Sequence, residues 1–154
     1  MADYYADSSA LVKRHVHETG TAWFRMLSSP ASGNIIITSR ISMVEVYSAF
    51  NRRLRETSLD PNDYEQLAAD FTTTCLTEYE LIEITPSVIW QAKLLLERYT
   101  LRAYDAVQLA AALTAGIALQ RAGLLPPIFL AADERLLEAA QRENLATDNP
   151  NLHP

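Results

Sequence analysis

The chain has 154 residues, long enough for one domain with a hydrophobic core of its own. Its one cysteine, Cys75, excludes an intramolecular disulfide and a cysteine-based zinc site, and suits a reducing compartment. A net charge of -6 and a pI near 5.0 exclude binding to nucleic acid by broad neutralisation of phosphates, so a nucleic-acid substrate fits only where metal ions supply positive charge.

The N-terminus, Met-Ala-Asp-Tyr-Tyr-Ala-Asp, lacks the basic and apolar regions of a signal peptide, and no apolar run is long enough to span a bilayer. A cytoplasmic protein without membrane contact is expected. Asp3 to Ala6 reads as a strand, followed by Asp7-Ser8-Ser9 and a helix carrying Ala10, Leu11 and Val12. Glu18 to Ser29 reads as a second helix, ended by the breaker Ser29 to Gly33. The β-branched run Ile35 to Ile37 is a buried parallel strand. It leads into a helix from about Ser42 to Glu56, where Met43, Val46, Tyr47, Phe50 and Leu54 share one face.

Asp60-Pro61 opens the next helix, with an N-cap acid and a proline at the first helical position. Tyr64, Leu67, Ala68, Phe71 and Cys75 follow at helical spacing, which makes Cys75 a small core residue. Leu81 to Ile84 is a short strand, and Pro86 opens a helix rich in apolar residues. Leu101 to Leu119 is a helix apolar nearly all round from Ala106 on, broken only by Gln108, Thr114 and Gly116, so it must be buried on most sides. A strand from Ile128 to Ala131 and a helix from Glu134 to Glu143, capped by Asp133, complete the pattern. Residues 1–147 then form one domain and residues 148–154 a loose tail. Strands alternating with helices imply right-handed crossovers and a parallel sheet covered on both faces.

In such a sheet the ligand site lies beyond the carboxyl ends of the strands. Asp7 and Asp133 each follow a strand, Glu45 lies one turn into a helix between two valines, and Asp105 heads the apolar helix. An N-cap role would explain Asp7 or Asp133 taken singly. Four convergent carboxylates would instead repel and raise one another's pKa unless a divalent cation neutralised them, and hard oxygen donors suit Mg²⁺ or Mn²⁺ rather than zinc. Such a site can polarise a phosphoryl oxygen and stabilise the leaving oxygen of a phosphodiester.

Four segments carry a family resemblance: Asp7 to Lys13 (DSSALVK), Met43 to Tyr47 (MVEVY), Tyr104 to Leu113 (YDAVQLAAAL) and Leu130 to Leu136 (LAADERL). In order and spacing the set resembles the PIN-domain nucleases, and within them the VapC toxin ribonucleases. The resemblance implies a three-layer α/β/α sandwich and Mg²⁺- or Mn²⁺-dependent endoribonuclease activity. It also implies a homodimer and a cognate VapB-like antitoxin whose tail enters the cleft. Asp7, Glu45, Asp105 and Asp133 match the family's acidic quartet, and Ser9 matches a supporting hydroxyl residue. Asp7 and Asp105 are expected as direct metal ligands, with Glu45 and Asp133 acting partly through water. Ala131 departs from the pattern, which usually has Thr or Ser there.

Arg102, nearly a turn before Asp105, is a candidate contact for a substrate phosphate, with a surface ion pair as the alternative. Arg52, Arg53 and Arg55 suit either a solvated helix C-terminus or an RNA or antitoxin contact, and Lys13 and Arg14 are weaker candidates of the same kind. His15, His17 and His153 read as surface residues. Competing readings are a noncatalytic binding module of the same fold and a nuclease acting on DNA. A haloacid-dehalogenase-type phosphatase would need an acid where Ser9 stands.

Overall fold

The computed structural model describes residues 1–154. At the centre of its sheet lies β1 (Asp3–Ala6), paired with β2 (Ile35–Ser39) on one side and β4 (Ile128–Leu130) on the other. The edges are β3 (Tyr79–Ile82) and β5 (Thr147–Asp148), and every pairing is parallel, in the order β3-β2-β1-β4-β5. In register, Tyr5 stands beside Ile37 and Phe129. Because side chains alternate along a strand, these three enter one core, while Ala6, Ile36 and Leu130 enter another on the opposite face.

Four helices cover the Ala6 face: α1 (Ser8–His15), α2 (Thr21–Leu27), α3 (Arg40–Arg55) and α4 (Pro61–Thr77). Their Leu11, Phe24, Val46, Phe50, Phe71 and Cys75 are fully buried there. On the Tyr5 face lie α5 (Pro86–Arg98), α6 (Ala103–Arg121) and α7 (Glu134–Arg142), contributing Leu95, Leu109 and Leu136. The molecule is therefore an α/β/α sandwich around a parallel sheet. As its composition demands, α6 is sunk into the core, with Ala110, Ala111 and Ala112 all inaccessible to solvent. No helix is long and apolar enough to cross a membrane.

Local chemistry sets several boundaries. Asp60 accepts from the Asp63 amide at 3.0 Å and Thr85 from the Val88 amide at 3.2 Å, each with proline at the next position. α2 starts at Thr21, later than the sequence suggests, because Gly20 before it is left-handed (φ 86°). α3 starts at Arg40, and Ser39 makes no side-chain cap because its hydroxyl turns inward to Ser42. β3 begins two residues earlier than expected. On α5 the inward positions are Val88, Ala92 and Leu95, leaving Ile89, Trp90 and Leu96 exposed.

The tail at 148–154 is not loose. Asp148 pairs within β5, and residues Pro150–Leu152 form a 3₁₀ turn opened by the Asn149 side chain. His153 stacks on Trp23 with ring centroids 4.0 Å apart and contacts Asp148 at 2.9 Å. His15 likewise departs from a surface position. Its ring is edge-on to Phe50 and Phe71, and its Nε2 is buried without a hydrogen-bond partner. His17 is exposed, as expected.

Candidate active site

All four acids sit where chain leaves the carboxyl edge of the sheet or where a helix begins above it. Asp7 follows central β1 and caps α1, accepting from the Ala10 amide at 3.1 Å. Asp133 follows β4 and caps α7, accepting from the Leu136 amide at 3.0 Å. Glu45 lies on α3 after β2, and Asp105 lies in the first turn of α6. Capping thus accounts for one hydrogen bond each at Asp7 and Asp133. It accounts for nothing at Glu45 or Asp105.

The environments differ. Asp7 is 5% exposed, and burial pushes its carboxyl up to about 7 against the pull of hydrogen bonds from Ser9 and the Ala10 amide. Glu45 and Asp105 raise it further. Burial also raises the pKa of Glu45 and of Asp105. Asp105 adds to the rise at Glu45, and Asp133 adds to that at Asp105, where the Arg102 guanidinium opposes it. Asp7, Glu45 and Asp105 therefore lie within one another's fields, and Asp105 lies within that of Asp133. Their side chains do not converge to a common point: no three His, Cys, Asp or Glu residues form a group that would hold an ion as they stand. The donor set nonetheless has the chemistry of a hard-cation site, with several partly buried carboxylates whose mutual repulsion a divalent ion would relieve.

Two hollows flank the acids. One, of about 830 Å³, is lined by Glu45 with Ser8, Ser9 and Val44, and runs on to Lys13, Arg52 and Arg53. The other, of about 480 Å³, holds Asp105, Asp133, Arg102 and Arg135. Arg102 is exposed and makes no ion pair, so it faces the second hollow with its donors free. Lys13 and Arg14 do not. Lys13 is 3% exposed and spends its ammonium on Glu18, the Thr19 carbonyl and Asn151, while Arg14 pairs with Glu78 at 2.6 Å.

Ser9 connects two sides of the site. Its hydroxyl donates to Asp7 at 2.5 Å and accepts from the Ala132 amide at 3.0 Å, tying the first acid to the loop that presents Asp133. Ala131 is fully buried, and the Ser9 bond supplies a tether for that loop one residue further on.

Sequence reasoning missed the buried polar cluster beneath Glu45. Gln108, three residues after Asp105 and so near it on one face of α6, donates from Nε2 to Glu45 Oε1 at 2.6 Å and to Ser42 Oγ at 2.8 Å. Its Oε1 accepts from the Tyr5 hydroxyl at 2.7 Å and from Ser42 at 3.1 Å. Thr38 joins through Ser42 at 2.8 Å and anchors to the Ala6 carbonyl at 2.7 Å. The signal was present: a glutamine in an otherwise apolar buried helix must find hydrogen-bond partners in the interior.

A parallel α/β/α sandwich with acids gathered above its central strands defines the class. The chain matches the PIN domain family over residues 4–142 and belongs to it. Among solved structures it is similar to VapBC2 from Rickettsia felis, described as bound to a DNA fragment from its promoter, at 14% identity and TM-score 0.60, covering 96% of this chain and 98% of that one. It is similar to VapC20 of Mycobacterium tuberculosis, described as a sarcin-ricin loop cleaving toxin, at 18% identity and TM-score 0.62, covering 88% and 94%. A toxin-antitoxin complex from Klebsiella pneumoniae matches at 18% identity and TM-score 0.54, covering 84% and 86%. No curated protein sequence matches the chain.

Proposed function

We propose that the chain is a metal-dependent endoribonuclease, the toxin of a toxin-antitoxin pair, which hydrolyses RNA phosphodiester bonds with Mg²⁺ or Mn²⁺ held by Asp7, Asp105, Glu45 and Asp133. The observation that carries this reading is the gathering of four acids above one sheet edge, three of them with proton affinities raised by burial and by one another. Membership of the PIN domain family supports it, as does the likeness to a toxin described as cleaving the sarcin-ricin loop. The likeness to VapBC2 and to a toxin-antitoxin complex supports an antitoxin partner.

The bound cation would polarise a phosphoryl oxygen and stabilise charge on the leaving oxygen. Asp7, fixed by Ser9 and the Ala10 amide, and Asp105, in the first turn of buried α6, would hold the cation directly. Glu45 is held at one oxygen by Gln108, which leaves the other oxygen to take the proton of the attacking water. That water forms the new oxygen-phosphorus bond as the bond to the leaving oxygen breaks, and the leaving oxygen takes its proton from solvent. Asp133, with one oxygen given to the Leu136 amide, contributes through water. Arg102 meets a phosphate from the Asp105 side.

One observation favours a second reading, a noncatalytic binding module: no three acids converge on one point. The test is cleavage of structured and single-stranded RNAs and of single-stranded DNA, with Mg²⁺, Mn²⁺ or EDTA, by the wild type, Asp7→Asn and Asp105→Asn. RNA cleavage that needs the metal, and that each substitution lowers on the order of 10²-fold or more, is expected. Cleavage of DNA alone would reassign the substrate. No cleavage, with no Mn²⁺ binding by calorimetry, would establish the binding module instead.

A further inference from the structure

The larger hollow extends well beyond Glu45, and its walls mix apolar residues such as Val12, Val44 and Ala49 with polar and charged ones. One wall is a stripe of α3 at helical spacing, Glu45, Ser48, Ala49 and Arg52; the other is α1, from Ser8 to Lys13. Seven residues of helix separate Glu45 from Arg52, about 10 Å along the axis. Three cations line this space, but two are committed. Each oxygen of Glu18 takes one of them, Oε1 the Lys13 ammonium and Oε2 the Arg53 guanidinium, both at 2.9 Å. Lys13, Arg53 and Glu18 together keep one net positive charge; the Lys13 ammonium makes three hydrogen bonds, and Arg53 gives one N–H to Glu18. Arg52 is exposed and has no ion pair, so its guanidinium fork is free, and it tips the charge of a space lined by Lys13, Arg53, Glu18 and Glu45 to positive.

We propose that this hollow is a subsite for a backbone phosphate of the RNA strand flanking the scissile bond, with Arg52 as the residue that contacts it. The assignment rests on the nuclease reading above. Arg102 and Arg135 stand unpaired in the other hollow, with Asp105 and Asp133, so free arginines in both hollows would mark the two directions in which a strand leaves the cleavage point. The chemistry at Arg52 suits a phosphodiester: a planar fork of donors meets two non-bridging oxygens, and the unpaired hydroxyl of exposed Ser48 lies one turn away on the same face. A purely structural role is the alternative, since Arg52 lies in the last turn of α3, where any cation favours the helix dipole. Arg53 and Arg55 supply that charge as well.

The two roles separate in one experiment. Binding of a fluorescein-labelled oligouridylate is measured in EDTA as a function of salt for the wild type, Arg52→Ala and Arg52→Lys, beside steady-state cleavage with Mn²⁺ and thermal melting. The subsite requires that Arg52→Ala weaken binding several-fold and flatten the plot of log K against log salt by about 0.7, the loss of one single-strand phosphate contact. The loss in cleavage should appear in KM rather than kcat, Arg52→Lys should recover much of the affinity, and melting should not change. Wild-type affinity and slope in Arg52→Ala, beside a wild type that binds and cuts, overturn the subsite and leave the nuclease reading standing. An unchanged RNA slope with Arg52-dependent binding of polyglutamate overturns it in favour of an acidic protein segment. A wild type that neither binds nor cuts RNA overturns both readings.

Discussion

His15 shows how one misplaced side chain sets a property of the whole molecule. It sits in the last turn of α1 with its ring edge-on to Phe71 and Phe50, at centroid distances of 5.4 and 6.3 Å, and Nε2 finds no partner. Burial, assisted by the Arg14 charge, holds its pKa down to about 4 from the ordinary 6.5. Between these values the unfolded chain binds a proton that the folded chain excludes, so stability rises with pH. The contribution is fully present above about 6.5 and is lost as pH falls toward about 4. For His15→Leu, the difference in unfolding free energy from wild type, from urea titrations, should change by up to about 3 kcal/mol between about pH 7 and about pH 4. Parallel stability curves would show that the ring is not held neutral. The same physics acts with opposite consequence at Asp7, where burial favours the protonated carboxyl and a counter-ion would favour the charged one.

At the level of elements, the C-terminal segment depends on a turn in the other half of the chain. Gly20 is left-handed, and a Cβ placed on it would lie 2.3 Å from the Pro150 carbonyl oxygen. Gly20→Ala therefore combines an unfavourable backbone, about 1–2 kcal/mol, with a backbone clash that the segment can relieve only by moving away. We expect a loss of about 2 kcal/mol or more, with faster amide exchange at Asn151 and Leu152, whose amides bond to Asn149. Wild-type stability with unchanged exchange would show that the segment is not docked through this turn. This segment also marks where the sequence stops being legible. β1, β2 and β4 could be read because apolar or β-branched runs announce buried strands, and Asp7, Asp105 and Asp133 because a strand end or a helix start precedes each. β5 has two residues, Thr147 and Asp148, with no pattern of their own; it is a strand because β4 stands beside it. The cluster under Glu45 was hidden for a related reason. Its bonds join Tyr5 to Gln108 and Gln108 to Glu45, residues 103 and 63 apart in sequence, and no local periodicity encodes such a pairing.

The whole molecule leaves apolar side chains in water on two adjoining helices. On α5, Ile89, Trp90 and Leu96 point outward, and on α6 Ile117 is exposed beside Gln91 of α5. The Lys93 ammonium lies over the Trp90 ring at 4.9 Å, which covers part of it without removing it from solvent. α5 could satisfy the sheet with Val88, Ala92 and Leu95 alone, so its outer apolar residues contribute nothing to the core. Each is about half exposed, so burying the remainder would gain on the order of 1 kcal/mol, and a two-fold contact would bury every such position twice. The homodimer that the family resemblance implies would find a candidate surface on these two helices. Sedimentation equilibrium of the wild type should give twice 17.2 kDa. Trp90→Glu combined with Ile117→Glu should give the single mass with an unaltered circular dichroism spectrum, since neither side chain enters the core. A wild type that sediments at 17.2 kDa would remove the dimer, while a double variant that keeps twice that mass would move the interface to another face.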